Sequence, residues 1–91
     1  MPEEQLRKKE PTNIHTLPCH SSNLARVGYD AESHILEVWF QGGGRYRYYD
    51  VPSKLWENLT HSESMGRYFM SSVRNAGFKC RKLPVLSSKP T

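Results

Sequence analysis

Apolar residues concentrate in three short segments in the middle of the chain, separated by polar or glycine-rich links. The segments are LARVGYD (24–30), ILEVWF (35–40) and RYRYYDV (45–51), and each is rich in β-branched or aromatic residues, as β-strands are. AESH lies between the first two segments and QGGG between the last two. Because connections this short join neighbouring antiparallel strands, the pattern predicts a three-stranded antiparallel meander with a glycine-rich second turn.

After residue 51 the spacing of apolar residues changes to that of a helix. Two segments, 52–61 and 62–77, carry apolar residues on one side at helical spacing: Leu55, Trp56 and Leu59 in the first, and Met65, Phe69, Val73 and Ala76 in the second. Pro52 suits the first turn of a helix, and Gly77 suits a C-terminal cap. The complete order predicts an α+β fold (βββαα) in which the meander is packed on one face by two C-terminal helices.

The chain has 91 residues, which is enough for one small domain. Residues 1–20 are polar and carry both signs of charge, so we predict a flexible leader there and a flexible tail at residues 84–91. The predicted domain is 21–83. IHTLPCHSSN (14–23) and the residues just before Pro84 are each compatible with one further short extended piece, because proline prevents helix continuation.

Side chains alternate between the two faces of a strand, so the link lengths predict which residues share a face. AESH pairs Asp30 with Ile35, and a five-residue link (41–45) places Phe40 opposite Tyr46. One face then carries the residues that the helices would cover: Ala25, Val27, Tyr29, Leu36, Val38, Phe40, Tyr46 and Tyr48. The other face carries Arg26, Gly28, Glu37, Trp39, Arg47 and Tyr49.

An indole between two guanidinium groups is the candidate binding surface on this second face. The predicted register puts Arg26, Trp39 and Arg47 in one row across three strands. Cation–π attraction favours the arrangement, and proteins use similar platforms to stack unpaired bases. The arginine stems could equally serve only to cover an exposed ring. Tyr46 and Tyr48 are predicted in the core with their hydroxyls at its edge, with a ligand-facing position as the alternative.

Basic residues dominate the C-terminal part of the chain. The formal net charge is +4, and six basic residues but no acidic residue lie from Arg67 to Lys89, which favours nucleic acids, nucleotides or acidic proteins as partners. A helix start at Ser64 and Gly66 could receive an anion. Alternatively, Gly66 could allow close packing and the arginines could form an ordinary solvated face. The candidate nucleic-acid or ligand-binding residues are Arg26, Trp39, Arg45, Arg47, Arg67, Arg74, Lys79 and Arg81.

Metal-binding, catalytic and membrane signals are weak or missing in the sequence. His15, Cys19 and His20 are metal-type ligands, but no second Cys/His pair completes a zinc pattern, so no metal or other cofactor is predicted. No nucleophile elbow, phosphate-binding glycine loop or paired-carboxylate pattern occurs, which predicts a non-catalytic protein. No secretory signal follows Met1 and no apolar run approaches a membrane span. We therefore expect a cytoplasmic protein with reduced cysteines.

Three segments together resemble the KTSC family, which is named after a domain at the C-terminus of some lysyl-tRNA synthetases. They are SSNLARVGYD, LEVWFQGGGRYRYYDVP and SESMGRYFMSSVRNAGFKCRKL, and they span about residues 21 to 83. The matching motif positions are Ser21, Ser22, Tyr29, Asp30, Tyr46, Tyr48, Val51, Pro52, Ser64, Gly66, Tyr68, Phe69 and Arg74. The resemblance implies a small stand-alone bacterial or phage protein from a family with no established activity. The synthetase fusion suggests RNA binding by analogy, and the family pattern does not explain the leader.

The leading functional hypothesis is a small RNA-binding module that uses the basic and aromatic surface for single-stranded or structured RNA. A protein-interaction adaptor, such as a homodimer or a phage accessory factor, is the first alternative, with Trp39 as its hot spot. A small-nucleotide binder, with arginines around a stacked base, is the second.

Overall fold

A computed structural model describes residues 10–84 as a five-stranded antiparallel sheet with two helices packed on one face. The elements in chain order are β1 (Thr16–Pro18), β2 (Leu24–Asp30), β3 (Ile35–Phe40), β4 (Arg45–Tyr48), α1 (Ser53–Thr60), α2 (Met65–Ser72), a 3₁₀ helix (Arg74–Ala76) and β5 (Cys80–Leu83). The strands lie side by side in the order β1-β2-β3-β4-β5, and every neighbouring pair is antiparallel. The two helices stand between β4 and β5 in the chain and cover the sheet from one side.

The α+β class, the antiparallel sheet and the two helices are confirmed, but the sheet has five strands and not the predicted three. β1 lies within the predicted leader and β5 within the stretch before Pro84. They have 3 and 4 residues, too few for hydrophobic periodicity to reveal them. The leader prediction is therefore corrected for residues 16–18, which belong to the sheet. The predicted flexibility of residues 1–9 and 85–91 lies outside the described residues.

The first hairpin has the predicted register over most of its length. Asp30 pairs with Ile35, and Val27 pairs with Val38. An irregularity between Leu24 and Arg26 then shifts the pairing, so that Leu24 lies opposite Phe40. The prediction had placed Ala25 there. A bulge of this kind adds one residue to one strand, and link length alone carries no sign of it.

The second hairpin is shifted by two residues from the predicted register. Phe40 lies opposite Gly44, because the Phe40 N–H donates to the Gly44 carbonyl at 3.1 Å, so three residues (41–43) link the paired positions. Gly43 and Gly44 both have positive φ. Tyr46 therefore lies opposite Val38 rather than Phe40. A shift by an even number of residues keeps every side chain of β4 on its predicted face, so only the cross-strand pairs of this hairpin differ from the prediction. In β2 the bulge puts Leu24, and not the predicted Ala25, in the core.

The core lies between the sheet and the helices and is centred on Phe69. Its buried residues are Leu24, Val27, Leu36, Val38, Tyr48, Val51, Leu59, Phe69 and Val73. The Phe69 ring makes edge contacts with Phe40 and Tyr48, with centroids 5.6 and 5.5 Å apart. Tyr48 is buried and Tyr46 is half-buried against the same cluster, so both tyrosines lie on the helix-covered face. Of the two positions considered for them, Tyr48 is in the core and Tyr46 is at its edge.

α2 is shorter than its sequence pattern suggests. Ser64 caps its start, accepting the Arg67 N–H at 3.3 Å, and the last predicted turn is the 3₁₀ helix, which ends at Gly77 with φ of 89°. The tighter 3₁₀ turn changes side-chain directions, and Ala76, assigned to the apolar side, is exposed. In the described part of the chain, no helix is long and apolar enough to cross a membrane.

Candidate functional site

The second face of the sheet, which the helices do not cover, contains a buried ion pair. Arg47 Nε donates to Glu37 Oε1 at 2.8 Å, and the two residues are 3 % and 1 % exposed. They are cross-strand partners on β3 and β4. Both charges are removed from water here, so each depends on the other to offset the free-energy cost of its lost hydration.

The predicted row of Arg26, Trp39 and Arg47 is wrong, because the second hairpin is shifted. Arg45, rather than Arg47, pairs with Trp39 and holds its guanidinium 5.1 Å from the ring centroid. The indole N–H donates to Glu37 Oε2 at 2.7 Å. Trp39 is half-buried, with one polar group satisfied and one cation stacked on it. The interpretation in which arginine covers the ring is therefore the one the geometry favours.

Arg26 is the remaining member of that row, and it binds backbone and side chain of β1. Its Nε donates to Thr16 Oγ1 and its Nη2 donates to the Thr16 carbonyl, both at 2.7 Å. Thr16 lies opposite Gly28, where an added Cβ would overlap the His15 carbonyl oxygen. Arg26 thus holds the edge strand β1 against β2, and β1 can approach this closely because residue 28 is a glycine.

Residues 10–12, called the N-terminal strap below, lie against the same face and complete the coordination of Arg47. The Arg47 guanidinium donates to the Pro11 carbonyl at 2.7 Å and to the Thr12 carbonyl at 3.1 Å. It also donates to Glu10 Oε2 at 2.7 Å. With Glu37 on the other side, all three nitrogens of this buried guanidinium have acceptors.

Glu10 Oε2 accepts hydrogen bonds from three donors, one on β4, one on the residue that follows β4, and one on β5. Besides Arg47, it accepts from Arg81 Nη2 at 2.8 Å and from the Tyr49 hydroxyl at 3.1 Å. Partial burial raises the pKa of Glu10, but the hydrogen bonds from Arg47, Arg81 and Tyr49 outweigh it and hold that pKa below its usual value.

Four of the eight candidate binding residues are therefore bound within the protein. Arg26, Arg45, Arg47 and Arg81 bond to Thr16, to Glu37 or Glu10, or to the Pro84 carbonyl. Trp39 is stacked and hydrogen-bonded. Arg67, Arg74 and Lys79 are exposed and have no ion pair within the described residues. Lys82, which the sequence analysis omitted, shares both properties.

An aromatic groove on the helix side of the sheet lies beside two of these cations. It has a volume of about 470 Å³ and is lined by Phe40, Gly43, Tyr46, Tyr48, Arg74, Phe78 and Cys80. Lys82 Nζ lies 6.0 Å from the Tyr46 ring centroid, because Lys82 and Tyr46 are cross-strand partners. We call this site the aromatic groove. It brings together Arg74, from the second predicted helix, and Tyr46 and Tyr48, from the third predicted strand.

Sequence reasoning missed Phe78 as a member of this site. Phe78 directly follows the αL glycine, where an apolar residue commonly packs back on the helix, and this signal was available. Lys82 belongs to the noted basic stretch, but its position over Tyr46 depends on the pairing of β5 with β4, whose register the sequence does not indicate.

The family-motif residues on the other elements have structural contacts. Tyr29 donates its hydroxyl to the Val51 carbonyl and stacks on Trp56 with centroids 5.6 Å apart, which fixes the start of α1 at Pro52. A Cβ on Gly66 would lie 2.7 Å from Ser21 Oγ. Tyr68 is half-buried against the core, whereas Ser22 is exposed.

The candidate metal ligands do not form a site within the described residues. His15 and His20 are exposed and Cys19 is half-buried, and no group of three or more His, Cys, Asp or Glu side chains between residues 10 and 84 is arranged to hold an ion. Cys19 and Cys80 are both free thiols. Burial raises the pKa of the Cys19 thiol, against a smaller opposing effect of Arg26.

Comparison with known proteins identifies the family. The KTSC domain model matches residues 20–78. An uncharacterized protein of Stutzerimonas stutzeri (strain A1501) is 47 % identical over 49 residues, which is 54 % of this chain and 69 % of that protein. A protein of Tsukamurella paurometabola is 39 % identical over 57 residues, or 63 % and 85 % of the two chains. The crystal structure of a KTSC domain protein from Yersinia pestis matches with a TM-score of 0.73 and 33 % identity, covering 79 % of this chain and all of that one (100 %). The resemblance seen in the sequence motifs is confirmed, and the chain belongs to the KTSC domain family.

Proposed function

We propose that this protein binds single-stranded RNA in the aromatic groove. The observation that carries the proposal is that half-buried rings occur together with exposed cations that have no ion pair among residues 10–84. Arg74 lines the groove and Lys82 lies over Tyr46 at its edge. The aromatic groove replaces the second face of the sheet as the candidate RNA-binding surface, because the arginines on the second face already have hydrogen-bond acceptors within the protein.

The chemistry of the groove matches that of an unpaired nucleotide. Phe40, Tyr46 and Phe78 are half-buried, so part of each ring remains available for stacking. Stacking of one base on an aromatic side chain contributes about 1–3 kcal/mol and tolerates any base. The two cations would contact the phosphates, which supply most of the affinity in such complexes.

The proposed role is binding without catalysis and without a cofactor. The residues that line the groove include one thiol, Cys80, but no carboxylate and no imidazole. A nucleophile needs a positioned base within hydrogen-bond reach, and this lining supplies none.

A pair of matched lysine variants tests the proposal. We expect Lys82→Gln to weaken the binding of a short fluorescein-labelled oligouridine about fivefold to tenfold, measured by fluorescence anisotropy. Its log–log salt dependence should decrease by roughly 0.7, the contribution of one phosphate contact. Lys54→Gln is the control, since Lys54 is also exposed but lies on α1. Arg74→Gln should behave like Lys82→Gln.

Two results would contradict the proposal. One is the absence of binding by the unmodified protein at low salt. The other is an equal loss for Lys82→Gln and Lys54→Gln, since that would show attraction to net charge and no site. Sedimentation of the same samples records the mass of the protein and so addresses the homodimer alternative. The small-nucleotide alternative predicts that a mononucleotide competes with the oligouridine for the same groove.

A further inference from the structure

We propose that Arg47, Tyr49 and Arg81 form a phosphate-binding site, which Glu10 of the N-terminal strap occupies as an intramolecular substitute for the ligand. We call these three residues the oxyanion cluster. The proposal goes beyond RNA binding in the aromatic groove, because the cluster lies on the opposite face of the sheet. Its ligand is a phosphate monoester or inorganic phosphate.

The donors of the oxyanion cluster converge on one oxygen atom. Glu10 Oε2 accepts from Arg47 at 2.7 Å, from Arg81 at 2.8 Å and from Tyr49 at 3.1 Å. Arg47 and Arg81 are directly opposite each other on β4 and β5, so the sheet register fixes their spacing. Charge-assisted hydrogen bonds from two guanidiniums and a hydroxyl to one oxygen are the contacts that phosphate oxygens make in protein sites.

The donors are held in place by contacts that do not involve Glu10. Arg47 is fixed by Glu37, whose carboxylate accepts its Nε at 2.8 Å. Arg81 Nε donates to the Tyr49 hydroxyl at 3.1 Å. The cluster is thus organised by β3, β4 and β5, and a ligand that replaced Glu10 would meet donors already oriented.

The balance of charge favours phosphate over carboxylate as the ligand. Arg45, Arg47 and Arg81 line a cavity of about 420 Å³ together with Glu10. Within residues 10–84, these three guanidiniums face two carboxylates, Glu10 and Glu37, so one positive charge is not balanced by the residues described there. A phosphate monoester has a charge between about −1.5 and −2 near pH 7 and would balance it in the place of Glu10. Arg45, which lines the same cavity, has one further nitrogen, Nε, that is buried and without a hydrogen-bond partner in the described residues.

The strap can leave without dismantling the sheet. The Glu10 side chain is 32 % exposed, and residues 10–12 belong to no strand or helix. Their described hydrogen bonds to the face are those to Arg47, Arg81 and Tyr49. A tethered carboxylate competes at the high effective concentration of an intramolecular ligand, so the unmodified protein should bind free phosphate weakly and the affinity should increase when the carboxylate is removed.

Isothermal titration calorimetry with inorganic phosphate, at pH 7 and constant ionic strength, tests the site. We expect Glu10→Gln to bind phosphate at least tenfold more tightly than the unmodified protein. Adding Arg81→Gln should abolish that gain, and Arg81 is 55 % exposed, so the change should not disturb folding. Glu57→Gln is the control, because it removes an exposed carboxylate on α1. Circular dichroism verifies that each variant is folded.

Two outcomes would overturn the proposal: equal phosphate affinity in Glu10→Gln and the unmodified protein, or undiminished affinity after Arg81→Gln is added. Phosphoserine and adenosine monophosphate, titrated separately, show which source of phosphate the site prefers, and binding of either supports it. Arg74→Gln should leave phosphate affinity unchanged, so failure of this proposal and failure of the RNA proposal are distinguishable.

Discussion

At the scale of single residues, the charged side chains Glu37 and Arg47 on the second face are buried like core residues. Glu37 accepts from Arg47, Arg45 and Trp39, and it is 1 % exposed. A buried charge with several donors is costly to disturb, even where the pair itself contributes little compared with an apolar replacement. The sequence showed these residues on one face, but it gave no sign that they would be covered.

Glu37→Gln should reveal this dependence. The change removes the negative charge and leaves Arg47 buried with a weakened partner, so we expect unfolding free energy to fall by about 3 kcal/mol. Urea denaturation measures it. Glu57→Gln, at an exposed position on α1, should change stability by less than about 0.5 kcal/mol. If Glu37→Gln lowered the free energy of unfolding by less than about 1 kcal/mol, the Glu37–Arg47 ion pair would contribute no more than a surface salt bridge.

At the scale of elements, the fold depends on two glycines at which an added Cβ would meet another segment: the His15 backbone at Gly28 and the Ser21 side chain at Gly66. Gly28 lies beneath the segment that leads into β1, and Gly66 in α2 lies against Ser21. Ser21 Oγ also accepts the N–H groups of Asn23 and Leu24, each at 3.1 Å. The start of β2 and the first turn of α2 therefore share one crowded contact.

Gly66→Ala separates local propensity from this packing. Helix propensity alone predicts a stabilisation of about 1 kcal/mol, but the new Cβ would lie 2.7 Å from Ser21 Oγ, and we expect a net loss of about 1–3 kcal/mol. Adding Ser21→Gly should recover part of it, because the obstruction is a side chain. Gly28→Ala meets the His15 backbone instead, and no substitution at residue 15 should rescue it. A stabilised Gly66→Ala protein, by thermal denaturation, would refute the close-packing interpretation.

The properties of individual strands also explain which parts of the fold and site could be predicted from the sequence. Alternation along β3 and β4 assigned the faces correctly, because an even register shift leaves every side chain on its face. In β2 the bulge puts Leu24 in the core instead of the predicted Ala25. The binding site depends on the register itself. A link of three residues (41–43) instead of five placed Arg45 opposite Trp39 and Arg47 opposite Glu37. β1 and β5 are edge strands whose pairing is specified by contacts with residues distant in the chain, and no local pattern contains those contacts.

At the scale of the whole molecule, the positive charge is divided between the two sides of the sheet. The second face uses its arginines internally, with Glu37 and Glu10 as acceptors. The helix side leaves Arg67, Arg74 and Lys82 exposed without ion pairs among residues 10–84. Exposed cations on one surface can orient an approaching polyanion, and these three side chains present theirs on the helix side.

The same division makes stability depend on pH through Glu10, the acidic residue that ties the strap to the sheet. Its pKa in the folded protein lies below the ordinary value of 4.5, because the hydrogen bonds from Arg47, Arg81 and Tyr49 outweigh burial. A carboxyl whose pKa is lower when folded stabilises the protein above the unfolded pKa, and that stabilisation is lost as pH falls through the folded pKa. Glu10→Gln should therefore be less stable than the unmodified protein at pH 6. The difference in urea midpoint should shrink steadily below pH 4.5, since the other carboxyls titrate in both proteins and cancel. A difference that stays constant down to the acid limit of folding would mean that the strap carboxylate does not bind the arginines as charged partners, and the oxyanion cluster would lose its tethered ligand.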